Sequence, residues 1–159
     1  MILLIGLQGA GKTTFYRERF FDTHVRISRD MLRTAERENL LIGACLAAKQ
    51  AFVLDNTNLL GADRAVHIAR AKAAGFRVTG YFFEPVLRAS IARNKHRADK
   101  KAIPVPAILR SYKRLQAPVY EEGFSELNTV TVAAENRFEV VLMERPKAAV
   151  KIDDGQQPQ

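Results

Sequence analysis

The chain has one cysteine, Cys45, and no tryptophan. A lone thiol cannot close an internal disulfide, which suits a reducing compartment. Cys45 itself reads as a small buried apolar residue. No apolar run is long enough to cross a bilayer, so no membrane partner is expected. Met1–Ile5 is apolar but has no basic residues ahead of it, and it reads as a strand rather than a leader. Together these absences predict a cytoplasmic protein. His24, His67 and His96 do not fall at metal-ligand spacing, and no Cys/His cluster or Ser–His–Asp set is legible. Zinc sites and triad hydrolases are thereby excluded. Internal repeats are also missing, and nothing in the sequence sets an oligomeric state.

Acidic residues are scarce in one segment. Arg88–Arg114 carries nine lysines and arginines against the single acid Asp99, while the rest of the chain has sixteen of each sign. The whole net charge of +8 therefore lies in that segment. Such a bias predicts a surface facing an anion, either a nucleoside triphosphate or a nucleic acid backbone.

What is present begins at Gly6. Gly6-Leu7-Gln8-Gly9-Ala10-Gly11-Lys12-Thr13 fits G-x-x-x-x-G-K-[ST] directly behind an apolar strand. Gly6, Gly9, Ala10, Gly11 and the following Thr14 would wrap main-chain N–H groups around a polyphosphate, and the next helix adds its positive N-terminal end. Lys12 would reach the β- and γ-phosphates, and the Thr13 hydroxyl would ligate Mg²⁺. ATP and Mg²⁺ are the expected ligands.

Strand and helix signals alternate. Strands are expected at Ile2–Ile5, His24–Ile27, Ala51–Leu54, Phe76–Phe83, Leu127–Val132 and Phe138–Met143. Helices are expected at about Lys12–Phe21, from Ser28 towards Gln50 with a bend near Gly43, at Asp63–Ala74 closed by Gly75, at Val86–His96 and at Ala107–Gln116. This predicts an α/β fold: a P-loop NTPase-type parallel sheet covered by helices on both faces, with a basic helical lid at about 88–114. Residues 1–150 form one domain, and the polar tail Lys151–Gln159 is expected to be disordered.

Ligands in such sheets collect at the carboxyl ends of strands. Beyond the phosphate loop, Ser28-Arg29-Asp30 follows strand two and Asp55-Asn56-Thr57-Asn58 follows strand three. Asp30 is a candidate general base, or an acid placed by the helix dipole. In one continuous helix, Arg33 and Arg37 would share its face at i+3 and i+7 and could hold a substrate phosphate. Asp55 is a candidate Mg²⁺ ligand through water, or a turn residue. Asn58 is a candidate substrate contact or a loop-forming residue. Arg93 and Arg97 are four apart on the basic helix, so both could point at one phosphate chain.

Taken in order, Gly6–Thr14, Ser28-Arg29-Asp30, Asp55-Asn56-Thr57-Asn58, Tyr81–Pro85, Arg93-Asn94 with Arg97, Ile103-Pro104 and Glu122-Gly123-Phe124 resemble the kinase domain of the polynucleotide 5′-hydroxyl kinases of phage and animal repair systems. The resemblance runs from about Met1 to Val132. It implies that Lys12 and Thr13 bind phosphate and Mg²⁺ and that Asp30 deprotonates the attacking 5′-hydroxyl. It further implies that Arg33 binds the substrate phosphate. Arg97 is then the lid arginine at the transferring phosphate, with Arg93 second. Asp55-Asn56 follows the animal form of its motif.

The expected function is ATP- and Mg²⁺-dependent phosphorylation of the 5′ end of DNA or RNA. A kinase of a small metabolite or nucleotide-sugar, similar to zeta toxins, is the alternative. A nucleotide-dependent binding or regulatory protein without transfer is the reading from another class, and it has no need of a base at Asp30.

Overall fold

The computed structural model describes residues 1–96, 102–133 and 137–146. Arg97 and the tail 151–159 lie outside the described residues.

Six strands form one sheet: β1 (Ile2–Ile5), β2 (Val25–Ile27), β3 (Phe52–Leu54), β4 (Thr79–Phe83), β5 (Glu126–Val132) and β6 (Phe138–Leu142), in the order β2-β3-β1-β4-β5-β6. The first five run parallel. β6 runs antiparallel to β5, with Val130 opposite Val140. The sheet is parallel except at this edge. Only 133–137 separate the two strands, and a parallel crossover needs about a dozen residues or more.

β1 is buried along its whole length because it is central and covered on both faces. Its side chains alternate between two cores. Leu3 and Ile5 join Ile27, Phe52 and Leu54 beneath Ile42, Cys45 and Ile68. Ile2 and Leu4 join Val53, Phe83 and Val130 beneath Phe15 and Tyr16. Cys45 is buried, and that burial pushes its thiol pKa up.

The helices are α1 (Lys12–Arg19), α2 (Arg29–Leu32), α3 (Ala35–Ala47), α4 (Gly61–Ala73), α5 (Leu87–Lys95) and α6 (Val105–Arg114). The expected long helix from Ser28 with a bend at Gly43 is two helices. Arg33 takes φ +75° and ends α2 after a single turn. Thr34 then starts α3, its side-chain oxygen accepting from the Arg37 N–H, with Glu36 and Glu38 in the first turn. Gly43 lies inside α3. Phe76 and Arg77 precede β4, because Gly75 at φ +79° closes α4 and the Phe76 N–H bonds back to the Ala71 carbonyl. Pro106 stands in the first turn of α6, where its missing N–H costs nothing, so that helix starts earlier than Ala107. Among the described residues, no helix is long and apolar enough to cross a membrane.

Candidate active site

Because β2 and β3 lie on one side of β1 and β4 on the other, the chain reverses its direction of winding at β1. A crevice opens at the strands' carboxyl ends there. The segments after β1, β2 and β3 meet in it, around a cleft of about 870 Å³.

The phosphate loop is the floor. Its Gly6 N–H donates to the Thr57 carbonyl at 3.0 Å, tying it to the segment after β3. Gly9 sits at φ +76°, and a Cβ there would be 2.4 Å from the Ser90 carbonyl oxygen of α5. Only glycine lets that helix approach so closely. Arg93 of α5 donates from Nε to the Gly9 carbonyl at 2.8 Å, and burial lowers its guanidinium pKa. Gln8 donates to Ser111 of α6 at 2.9 Å. The lid helices are therefore docked on the loop. Lys12 is buried and donates from Nζ to the Gly6 and Leu7 carbonyls at 2.9 and 2.6 Å.

At the start of α1, the Thr13 hydroxyl donates to Asp55 Oδ2 at 2.9 Å. Arg26 of β2 reaches the same oxygen, with Nε at 2.7 Å and Nη2 at 2.5 Å. A hydroxyl and a buried carboxylate thus already face one cation. That donor set fits Mg²⁺, a hard cation that takes oxygen ligands.

Asp30 lines the same cleft from the first turn of α2. Its turn is tied down on two sides. The Arg29 N–H donates to Asn56 Oδ1 at 2.9 Å, and the Arg29 guanidinium pairs with Glu38 of α3. Asn56 Nδ2 donates to Glu38 as well. Glu38 is only 2 % exposed, so its charge is held by these two partners. His67 of α4 stands in the same wall, where burial lowers its imidazole pKa.

Of the sequence-predicted residues, Gly9, Ala10, Gly11, Lys12, Thr13, Thr14, Asp30, Asp55, Asn58 and Arg93 border the cleft. Gly6 does not border it. Asn58 is buried and donates from Nδ2 to the Leu4 carbonyl at 2.7 Å, which makes it a tie between the ends of β1 and β3. Arg33 and Arg37 do not border the cleft. The break at Arg33 removes the shared helix face that would have set them beside Asp30, and Arg37 Nη1 instead reaches the Leu32 carbonyl. Sequence reasoning missed Arg26, Glu38 and Arg64. Arg64 is fully buried, pairs with Glu122 through Nε and Nη2, and donates from Nη1 to the Asn58, Leu59 and Gln116 carbonyls. Glu38 and its neighbour Glu36 follow Thr34 as an N-cap signal, which was readable. Nothing local marks Arg26 or Arg64.

An AAA domain family model matches residues 1–121. The chain belongs to that family. Two solved structures share the fold of this AAA-domain protein. A gluconokinase from Sinorhizobium meliloti 1021 superposes with a TM-score of 0.60 at 17 % identity, over 83 % of this chain and 82 % of its own. Kti12 from Chaetomium thermophilum, in complex with ADP-AlF3, superposes with a TM-score of 0.59 at 21 % identity, over 82 % and 88 %. The fold is that of a nucleotide-dependent P-loop protein of the kinase-like kind.

Proposed function

We propose that this protein is a kinase that transfers the γ-phosphoryl group of ATP to a hydroxyl, with the 5′-hydroxyl end of a nucleic acid as acceptor. The observation that carries the reading is the convergence of Asp30 with Lys12 and the Thr13–Asp55 pair on one cleft. A protein that only binds nucleotide does not need a second carboxylate, besides Asp55, on the cleft of its phosphate loop.

In this reading Lys12 exchanges its loop carbonyls for the β- and γ-phosphate oxygens. Thr13 and Asp55 are the residues that would hold Mg²⁺, which supplies neutralisation of phosphate charge when bound. Asp30 accepts the proton of the attacking hydroxyl. Arg93, already against the loop, and Arg97 are the lid cations assigned to charge on the transferring group. The nucleoside would enter a smaller cavity of about 370 Å³, bordered by Val132 and Phe138, which shares Gly11, Thr14 and Arg93 with the cleft.

A second reading, a kinase of a small hydroxylated metabolite, draws on the placement of Arg33 and Arg37 away from the cleft. The cleft lining also includes Asn39, Asp63 and His67, groups suited to hydroxyls. One structural neighbour is itself a gluconokinase. The deciding experiment is radiolabelled phosphate transfer from ATP to a panel of 5′-hydroxyl oligonucleotides, nucleosides, sugars and sugar acids. Labelled oligonucleotide is the expected product. Transfer to sugars alone would move the assignment to the second reading, and ATP binding without transfer to any acceptor would refute both.

A further inference from the structure

Helix α6 is basic in a way the cleft alone does not use. It contains no acid, and Arg110, Lys113 and Arg114 make no ion pair among the described residues. Its buried face is Ile108 and Ser111. Arg114, three residues after Ser111, borders the cleft. Arg110 is four residues before Arg114, and Lys113 is three after Arg110. At 3.6 residues per turn these three are neighbours on one flank, running outward from the cleft edge. All three are exposed.

The helix is fixed to the site at both ends of that flank. Ser111 holds Gln8 of the phosphate loop. Just past the helix, the Gln116 N–H donates to the Leu59 carbonyl and its Oε1 accepts from the Gly61 N–H, beside the segment that borders the cleft next to Asp55. The cations therefore begin at the cleft mouth and lead away from it at a fixed angle.

The geometry points to this flank as a phosphate rail for a single-stranded nucleic acid whose 5′ end lies at Asp30. Arg114 meets the phosphates nearest the reactive end, and Arg110 and Lys113 those further along. The inference rests on the polynucleotide reading above and deepens it, since three outward cations have no use for a sugar or a single nucleotide. Exposed cations on phosphates bind without reading sequence and release counterions, so the signature is a dependence on length and salt.

The test compares wild type with R110Q/K113Q and R110E/K113E. Acceptors are a 20-nucleotide 5′-hydroxyl oligothymidylate and thymidine 3′-phosphate, each measured across a range of salt. Each neutralised phosphate on a single strand contributes a log–log salt slope of about 0.7. The glutamine pair should lower the slope for the 20-mer by about 1.4 and raise its KM roughly tenfold at low salt, and the glutamate pair should raise it further. KM for thymidine 3′-phosphate and for ATP should stay within twofold. An unchanged slope and KM for the 20-mer would overturn the rail while leaving the kinase reading intact. An equal loss on both acceptors would also overturn it, because the effect would then arise inside the cleft. If wild type labels sugars but no nucleic acid, the polynucleotide reading falls and the rail falls with it.

Discussion

Replacing Glu38 with alanine tests whether the latch behind Asp30 sets the rate. The Glu38 carboxylate accepts from Arg29, with Nε at 2.8 Å, and from Asn56. Removing one partner of a fully buried ion pair would cost about 3–5 kcal/mol. Here the Arg29 side chain is 51 % exposed, so its released charge can be hydrated and the full penalty does not apply. What remains is the loss of charge-assisted bonds, about 1.5–3 kcal/mol, less a few tenths gained from alanine in a helix. A net loss near 2 kcal/mol should lower Tm by about 4–8 °C in a chain of this size. The kinetic effect follows from geometry. Arg29 neighbours Asp30, and a displacement of about 1 Å in a reacting group lowers rate by up to about 10²-fold. In steady-state assays, kcat should fall tenfold to a hundredfold while KM for ATP stays within twofold, because Glu38 has no bond to the phosphate loop. Glu38→Gln keeps one acceptor for Arg29 and should recover part of the rate. A folded Glu38→Ala protein with kcat within twofold of wild type would refute the argument that the latch positions Asp30.

Lys12→Ala should abolish ATP binding measured by calorimetry while the far-ultraviolet circular dichroism stays native, since Lys12 belongs to the phosphate loop, where its Nζ donates to the Gly6 and Leu7 carbonyls, and not to the apolar core; full binding would remove the nucleotide site from this loop. Asp30→Asn should still bind ATP but transfer phosphate about 10²–10⁴-fold more slowly, the usual contribution of a positioned base, and a wild-type rate would reduce Asp30 to a helix-end acid. Arg64→Ala strands the Glu122 carboxylate and leaves three carbonyls without their donor, so urea unfolding should show a loss of about 3–5 kcal/mol, and a loss under 1 kcal/mol would contradict the bonding described. Burial lowers the pKa of His67 and of His24 below that of a free imidazole. The unfolded chain then binds more protons than the folded one in mildly acid solution, so the stability gained by keeping these rings neutral is complete above about pH 6.5 and is lost as pH falls through the folded values. Urea midpoints should drop between pH 7.5 and 5.5, and His67→Gln should flatten the drop.

How far the site was legible differs from residue to residue. The phosphate loop is a local signal, since its glycines, lysine and threonine all stand next to a strand that reads as buried. The order of the alternating elements follows from periodicity, but periodicity carries no direction. The antiparallel β6 had to be read from the shortness of 133–137 instead. Arg26 and Asp55 meet across two neighbouring strands, a contact set by register between β2 and β3 that no local pattern contains. Arg64 is plainer still: a lone arginine in an amphipathic helix reads as solvated surface, and only the packed ends of α4 and α6 make it a buried knot.

The break at Arg33 has the largest consequence for function. Helical spacing would place Arg33 and Arg37 beside Asp30, where they could hold a substrate phosphate, and the kinase resemblance implies the same role for Arg33. One non-glycine residue at positive φ undoes the spacing, and such a residue leaves no mark in a sequence. The N-cap signal at Thr34 did mark where the next helix begins, which places the interruption one residue earlier. On the polynucleotide proposal, with Arg33 and Arg37 off the cleft, a phosphate beyond the acceptor's reactive 5′ end is assigned to other cations. Among the described residues, Arg114 borders the cleft and makes no ion pair, whereas the other arginines there are engaged: Arg93 is bonded to Gly9, Arg29 to Glu38 and Arg26 to Asp55. Under the polynucleotide proposal, the acceptor's phosphate contact is accordingly assigned to α6 rather than to α2. That is the assignment the 20-mer and the mononucleotide tell apart.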